Sequence, residues 1–207
     1  MRICCVDTHA LPDRWISRTT FTSEDFFTVV GPGPVRWLER AGAETDTSHR
    51  QLIPYVLVRD AGGAYLCYQR HGSEKRLTGL YSVGLGGHIE ENDARPDLRQ
   101  TVHACILREL AEELADFDPL RITLDYRGVI NEIETPVGLV HLGLVHLARC
   151  APGYRPLPGA EISGAQWKSA AELAGLRREL WSDLALRLMD RPGHTGAVRE
   201  KPSGVKA

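Results

Sequence analysis

Hydrophobic and polar positions along the chain change rhythm near residue 50. Before that point the pattern is mixed: "RICCV" reads as a strand, "GPGP" (31–34) as a turn and "VRWLERAG" (35–42) as a short helix. Beyond it the periods sharpen. "QLIPYVLVRD" is a buried-strand run, "AGG" a turn and "AYLCYQR" a second strand, together a predicted hairpin. A polar, basic loop, "HGSEKRLTG", leads into "LYSVGLGGHI", a strand that dissolves into a glycine turn. The next helix is predicted to begin between Asp97 and Thr101 and to run to about Leu114. At about 100° per residue, Ala104, Leu107, Leu110, Ala111 and Leu114 share one arc, the expected core face. Glu109, Glu112 and Glu113 share the opposite arc at i, i+3, i+4. Val102 and Ile106 fall on that acidic side too, so something besides water is expected against it.

Two long β-type runs follow, 121–134 and 138–150, joined at Thr135–Pro136. A short strand "EISGAQW", a helix signal "SAAEL" and an amphipathic helix from about Arg177 to Met189 complete the pattern. The last helix offers Leu180, Trp181, Leu184, Leu186 and Leu188 for packing. These signals divide the chain into an N-terminal extension (1–48), an α/β domain (49–190) and a tail (191–207). The tail lacks an apolar period and is expected to be disordered.

Composition narrows the class. A chain of 207 residues with 43% hydrophobic and 25% charged positions has the make-up of a soluble globular domain. A formal net charge of -2 supplies no field that would recruit a nucleic-acid polymer non-specifically, although a local basic cluster still suits a small phosphorylated ligand. Five scattered cysteines, an odd number, point to a reducing compartment. "MRICCVDTHALPDRW" lacks the charged and apolar regions of a secretory signal, and no apolar run reaches the ~18 residues of a membrane helix. A cytoplasmic protein without a membrane partner is the expectation.

The candidate chemistry sits on the acidic arc. Three carboxylates on one helix face repel one another by a few tenths of a kcal/mol per pair. A divalent cation reverses that sign, and Mg²⁺ takes a few carboxylates together with substrate phosphate oxygens. Glu109, Glu112 and Glu113 have the right ligand chemistry, and the glycine turn before them lets a backbone carbonyl, that of Gly86, approach as a further ligand. Arg108, four residues before Glu112, could hold a carboxylate in its liganding rotamer or meet a phosphate. Taken alone, "RELAEEL" is ordinary solvated helix surface; the glycine pair upstream and the flanking strands tip the balance toward a site.

The same residues resemble the Nudix hydrolase signature: Gly, five residues, Glu, seven residues, then Arg-Glu-aliphatic-x-Glu-Glu-x-Gly-aliphatic. Gly87 matches the opening glycine and "RELAEE" (108–113) matches the catalytic half without substitution. The resemblance covers about residues 50–190. It implies an α/β/α sandwich around a mixed sheet, Mg²⁺ or Mn²⁺ at the box helix, and hydrolysis of a nucleoside diphosphate linked to another group. It makes Glu109, Glu112 and Glu113 metal ligands or base, with the Gly86 carbonyl a further ligand. Glu161, six residues before Trp167, resembles the carboxylate that often completes such a site from a later loop; Glu132 and Glu134 are its rivals. The expected partner is a small phosphate-containing molecule, and a homodimer is allowed. Two other readings stand beside this one: a Nudix-like nucleotide-binding regulatory module without catalysis, which would predict lost glutamates, and an isoprenoid diphosphate isomerase, which would want a cysteine in a polar motif that Cys67 in "YLCYQR" does not offer.

Three departures matter. The Gly87–Arg108 spacing is seven residues longer than the signature, so the box is elongated. Its first glutamate then has two counterparts, Asp93 counted forward from Gly87 or Gln100 counted back from Arg108. Ala115 and Asp116 stand where Gly and an aliphatic residue are usual. The inserted acidic residues Glu91, Asp93 and Asp97 are expected to border the cleft and tune substrate choice. Substrate contacts are expected from Arg70, His71, Lys75 and Arg76 in the basic loop, and from His88 after the glycines. Tyr55, Tyr68 and Tyr81 could stack a base, with core packing the favoured reading, and Trp181 is assigned to the core; His141 and His146, whose opposite strand parity keeps them out of one site, are read as packing or surface residues.

Overall fold

The computed structural model describes residues 1–70, 77–162 and 164–191. The strands are β1 (Arg2–Asp7), β2 (Thr20–Thr22), β3 (Val35–Glu39), β4 (His49–Arg59), β5 (Tyr65–Gln69), β6 (Tyr81–Ser82), β7 (Gly84–Leu85), β8 (Ile122–Asn131), β9 (His141–Cys150) and β10 (Gln166–Lys168). The helices are α1 (Asp13–Ile16), α2 (Phe26–Val29), α3 (Arg40–Ala43), α4 (Leu98–Glu113), α5 (Ala170–Ala174) and α6 (Leu180–Met189). The main sheet runs β10-β5-β4-β9-β8-β2, with β1 against β4 and β3, and β7 against β4. It is mixed: β4 and β9 are parallel from Gln51↔His141 to Arg59↔Arg149, whereas β8 and β9 are antiparallel. Those two central strands, β4 and β9, carry near-continuous apolar runs because both of their faces are covered.

One face, through Leu52, Val56, Val58, Leu142, Leu144 and Ala148, packs on α4 and on Trp15 and Phe26. The other, through Tyr55, Leu57, Val145 and Leu147, packs on Leu173 of α5 and on Leu184, Ala185 and Leu188 of α6. This is the expected α/β/α sandwich. Among the described residues no helix is long and apolar enough to cross a membrane.

The structure redraws several local expectations. Val35–Glu39, read as helix, is a strand paired with β1 from Arg2↔Glu39 to Val6↔Val35; only Arg40–Ala43 is helical. So short a run supports either period, and the open edge of β1 decides. The 121–134 run stops being a strand at Asn131. The core side of α4 is rotated from its expected position: Thr101, Val102, Cys105, Ile106 and Leu110 are buried, Ala104 and Leu107 are half-buried and Ala111 is exposed. Val102 and Ile106 thus lead the helix into the sheet and carry the glutamates with them, because each side of the helix mixes apolar with charged residues.

Residues 1–48, read as an extension, are woven into the same layers. β1 pairs with β4, and β2 pairs with β8 from Thr20↔Asn131 to Thr22↔Val129. Asp25 caps α2 through Phe27 N–H (2.9 Å) and Thr28 N–H (3.3 Å), and its other oxygen meets Arg99 Nη2 at 2.5 Å. The Arg99 guanidinium lies 4.3 Å over the Phe27 ring. Residues 192–207, most of the expected tail, lie outside the described residues. If residues 1–48 belong to the core, Phe26→Ala should cost about 3–5 kcal/mol in urea unfolding, since Phe26 is fully buried. A loss under about 1 kcal/mol would show that the segment is only appended.

Candidate active site

The site is built where β7 ends. Gly86 adopts φ +145°, and a Cβ there would lie 1.9 Å from the Pro54 carbonyl oxygen of β4, so only glycine fits. At Gly87 a Cβ would meet the Glu109 carboxyl group 2.5 Å away. The glycine pair therefore lets the acidic side of α4 lie directly on the chain. Gly86 N–H points at Glu113 Oε1 at 3.4 Å.

Arg108 organises the carboxylates around that turn. Its Nε and Nη2 meet the two oxygens of Asp93 at 3.1 and 2.9 Å, and Nη2 also donates to the His88 carbonyl at 2.9 Å. Nη1 reaches Glu109 Oε1 at 2.8 Å and Glu112 at 3.3 Å. Hydrogen bonding to Asp93 raises the Arg108 pKa further above its already high value. This geometry separates the two counterparts of the missing glutamate: Asp93, 3% exposed, is the residue paired with Arg108. The insertion falls after Asp93, ahead of a helix whose N-cap, Asp97, accepts from Arg99 N–H at 3.0 Å. Glu91 pairs with Arg2 at 2.6 Å. Glu91, Asp93 and Asp97, the three acids expected at the cleft, are thus each engaged in holding the loop.

The C-terminal end of α4 explains the other departure. Leu114 is extended (φ -116°), so the chain leaves the helix without a left-handed residue and needs no glycine. Gly159 N–H donates to the Glu113 carbonyl (2.7 Å), Ala115 N–H to Leu157 O (2.9 Å) and Leu157 N–H to Asp116 Oδ1 (2.5 Å). This clasp also carries Glu161, exposed, into the field of Glu113.

The carboxylates are under-compensated. Glu113 is raised to about 7, chiefly by burial, with Glu109 and Glu161 adding to the rise and Gly86 N–H opposing it. Glu109 is also raised by burial, against the pull of Arg108. Glu112 is exposed and rests on Arg108. Among the described residues no three His, Cys, Asp or Glu side chains already converge at metal-ligand geometry; Glu109 and Glu112 are instead paired with Arg108. The donor set nonetheless suits a hard cation: oxygen only, on one helix, with one guanidinium shared among Asp93, Glu109 and Glu112 and none of it reaching Glu113.

Other expected residues fall differently. Glu132 is buried and hydrogen-bonded to Thr135 beside Gly138, while Glu134 is exposed, so neither rivals Glu161 near Glu113. His88 is half-buried, its Nε2 2.7 Å from Gln51 Oε1 and its ring 5.6 Å from that of His141; burial lowers its pKa to about 4, leaving a neutral imidazole. His146 is buried against Tyr126. Arg70 is half-buried near Glu113, whereas His71, Lys75 and Arg76 lie outside the described residues. Sequence reasoning passed over Glu179, Ser82 and Ser182, a buried cluster around Tyr55. "RREL" reads as plain helix surface, and nothing in its period marks Glu179 as buried.

Comparison with known proteins agrees with this architecture. No protein-family model matches the chain. It is 29% identical to Protein YmaB of Bacillus subtilis (strain 168) over 162 residues, 75% of this chain and 78% of that protein. The structure of Tm1382, solved as a candidate Nudix hydrolase, superposes with a TM-score of 0.72 at 28% identity, covering 91% of this chain and 98% of Tm1382. The Nudix domain of Shewanella oneidensis NrtR, solved with ADP-ribose, shares the fold at a TM-score of 0.51 and 18% identity, over 68% of this chain and 86% of that domain. With the intact "RELAEE" segment on α4 beside the glycine turn, the chain shares its fold and the catalytic half of the signature with Nudix hydrolases.

Two outcomes test the geometry. Asp93→Ala leaves Arg108 without its buried partner and should cost about 3 kcal/mol, whereas Gln100→Ala should stay within about 0.5 kcal/mol. The reverse order in denaturant titrations would reassign the counterpart to Gln100. The second outcome concerns pH. Glu113 keeps its proton in the folded state up to about 7, while the unfolded chain loses it near 4.5. Without divalent cations, stability should fall as pH rises through this window. Glu113→Gln removes that fall, so its melting temperature relative to wild type should climb between about pH 4.5 and 7 and then level off.

Proposed function

We propose that the protein is a Mg²⁺-dependent hydrolase that cleaves a diphosphate bond in a nucleoside diphosphate linked to another group. The observation that carries this reading is the pair of half-buried, under-compensated carboxylates, Glu109 and Glu113, laid against the glycine turn. A protein gains nothing in stability from such a cluster, so its retention points to a cation and an anionic ligand. The retained Glu109, Glu112 and Glu113 also speak against a binding module without catalysis. Cys67 is fully buried in the core, which speaks against a thiol of the kind an isomerase would use. The NrtR domain of this fold holds ADP-ribose, which supports a diphosphate-bridged nucleotide as the kind of ligand such a scaffold accepts.

In this reading Glu109, Glu112, Glu113 and the Gly86 carbonyl hold Mg²⁺, or Mn²⁺ in its place. The bound cation supplies charge withdrawal from the phosphoryl oxygens and lowers the pKa of water in the site. Arg108 steers Glu109 and Glu112 from one side. Glu161, untied to Arg108 and close enough to act on Glu113, takes the proton from the attacking water, a role Glu109 could share. Arg70 faces the substrate phosphates. A cytoplasmic setting is supported by five free, buried cysteines.

Isothermal calorimetry with Mg²⁺ and Mn²⁺, followed by turnover of dinucleotide and nucleoside-diphosphate substrates, tests this directly. Metal binding should raise the melting temperature by mass action. Glu113→Gln should leave the apo protein as stable or more so while lowering turnover by about two or more orders of magnitude. Near-normal turnover in that variant would remove Glu113 from the metal site.

A further inference from the structure

Beside Arg70 lies a buried polar cluster that the proposed chemistry leaves unused. Glu179, the N-cap residue of α6, is buried. Its Oε1 accepts from Tyr55 OH at 2.9 Å and Ser82 Oγ at 2.6 Å, and lies 3.3 Å from Ser182 Oγ. The two serine hydroxyls in turn accept from Gly84 N–H and Val83 N–H, so the cluster is locked to the chain just before the glycine turn. The other oxygen, Oε2, faces Arg70, whose Nε is 4.0 Å away. Arg70 Nη1 lies 3.5 Å from Tyr68 OH, and Tyr68 OH donates to the Gly84 carbonyl at 3.2 Å.

Just beyond Gly84, Gly86 N–H points at Glu113. Arg70 itself acts on Glu113, opposing the rise caused by burial. The guanidinium thus has a buried carboxylate 4.0 Å from its Nε and acts electrostatically on the candidate metal carboxylate. Burying an ionised carboxylate is costly, and apolar packing would serve stability better. A rigid, hydroxyl-saturated carboxylate instead fixes where its cationic partner stands.

We propose that Glu179 is a positioning residue that holds the Arg70 guanidinium beside Glu113, where its planar fork receives the substrate diphosphate. This rests on the diphosphate reading of the site. The Tyr55, Ser82 and Ser182 hydroxyls set the carboxylate, the carboxylate sets Arg70, and Arg70 sets the phosphate groups against the α4 glutamates. Recognition of the diphosphate is thereby tied to α6, an element outside the box.

Calorimetric titration with magnesium pyrophosphate tests the assignment on wild type, R70A, E179Q, R70A/E179Q and Y55F. R70A and E179Q should each weaken binding about tenfold, the scale of one charge-assisted hydrogen bond. The double variant should be no weaker than R70A alone, because Glu179 acts only through Arg70. Y55F removes one of the three hydroxyls that set the carboxylate but no charge; its affinity should fall, by less than the loss in E179Q. Affinity for Mg²⁺ alone should change far less in R70A or E179Q than affinity for magnesium pyrophosphate. Wild-type pyrophosphate affinity in E179Q, or fully additive losses in the double variant, would overturn the proposal. Should E179Q not fold, R70A decides alone: undiminished affinity there overturns it as well. A wild-type protein that binds neither Mg²⁺ nor magnesium pyrophosphate would instead remove the diphosphate reading itself, and the role of Glu179 with it.

Discussion

The Arg108 guanidinium holds together parts of the chain that would otherwise drift apart. Its fork spans both oxygens of Asp93, the carbonyl of His88 and the carboxylates of Glu109 and Glu112. Through Asp93 and His88 it ties the glycine turn to a helix that begins only at Leu98. Lysine, a point charge without a planar fork, would satisfy one of these partners and release the rest. Because Asp93 is almost wholly buried, its charge must be paired, which makes the link obligatory for the fold as well as useful to the site.

Elongation of the box has a structural counterpart in the N-terminal segment. The loop after the glycines is held from outside by β1, where Cys4 N–H donates to Ile89 O at 2.9 Å and Arg2 pairs with Glu91. The inserted start of α4 is held by Asp25 and Phe27 through Arg99. A longer loop costs little chain entropy, but its ends need added contacts to stay in register. Residues 1–48 supply them at both ends, through Arg2 and Cys4 and through Asp25 and Phe27.

Charge is arranged in opposed pairs across the turn. On the α4 side, burial raises Glu109 and Glu113 and leaves them short of compensation. On the α6 side, Glu179 is saturated by hydroxyls and faces Arg70. The first arrangement is poised to gain from a cation and the second to orient one. Both depend on Gly84 and Gly86, where the chain passes too close to Tyr55 and Pro54 for a side chain, and on Gly87, where a Cβ would displace the Glu109 carboxyl group.

Much of this was legible in residue order. The i, i+3, i+4 glutamates, the glycine pair, the hairpin and the long strands are local patterns, and each follows from a short-range period or from a backbone that only glycine allows. The choice between Asp93 and Gln100 was not local, because counting from either end of an elongated loop is equally valid until Arg108 selects a partner in space. Nor was the rotation of α4: its two sides are similarly apolar, so the sheet surface, not the helix, decided that Val102 and Ile106 go inward. Val35–Glu39 became a strand because β1 offered unpaired backbone groups. Glu179 became buried because Tyr55, Ser82 and Ser182 converge on it, two of them from distant segments. Sequence alone determined which chemistry the chain carries, since ligand type and backbone freedom reside in single residues. Tertiary structure decided which charges are paired, because pairing is set by burial and by distances between segments far apart in the chain.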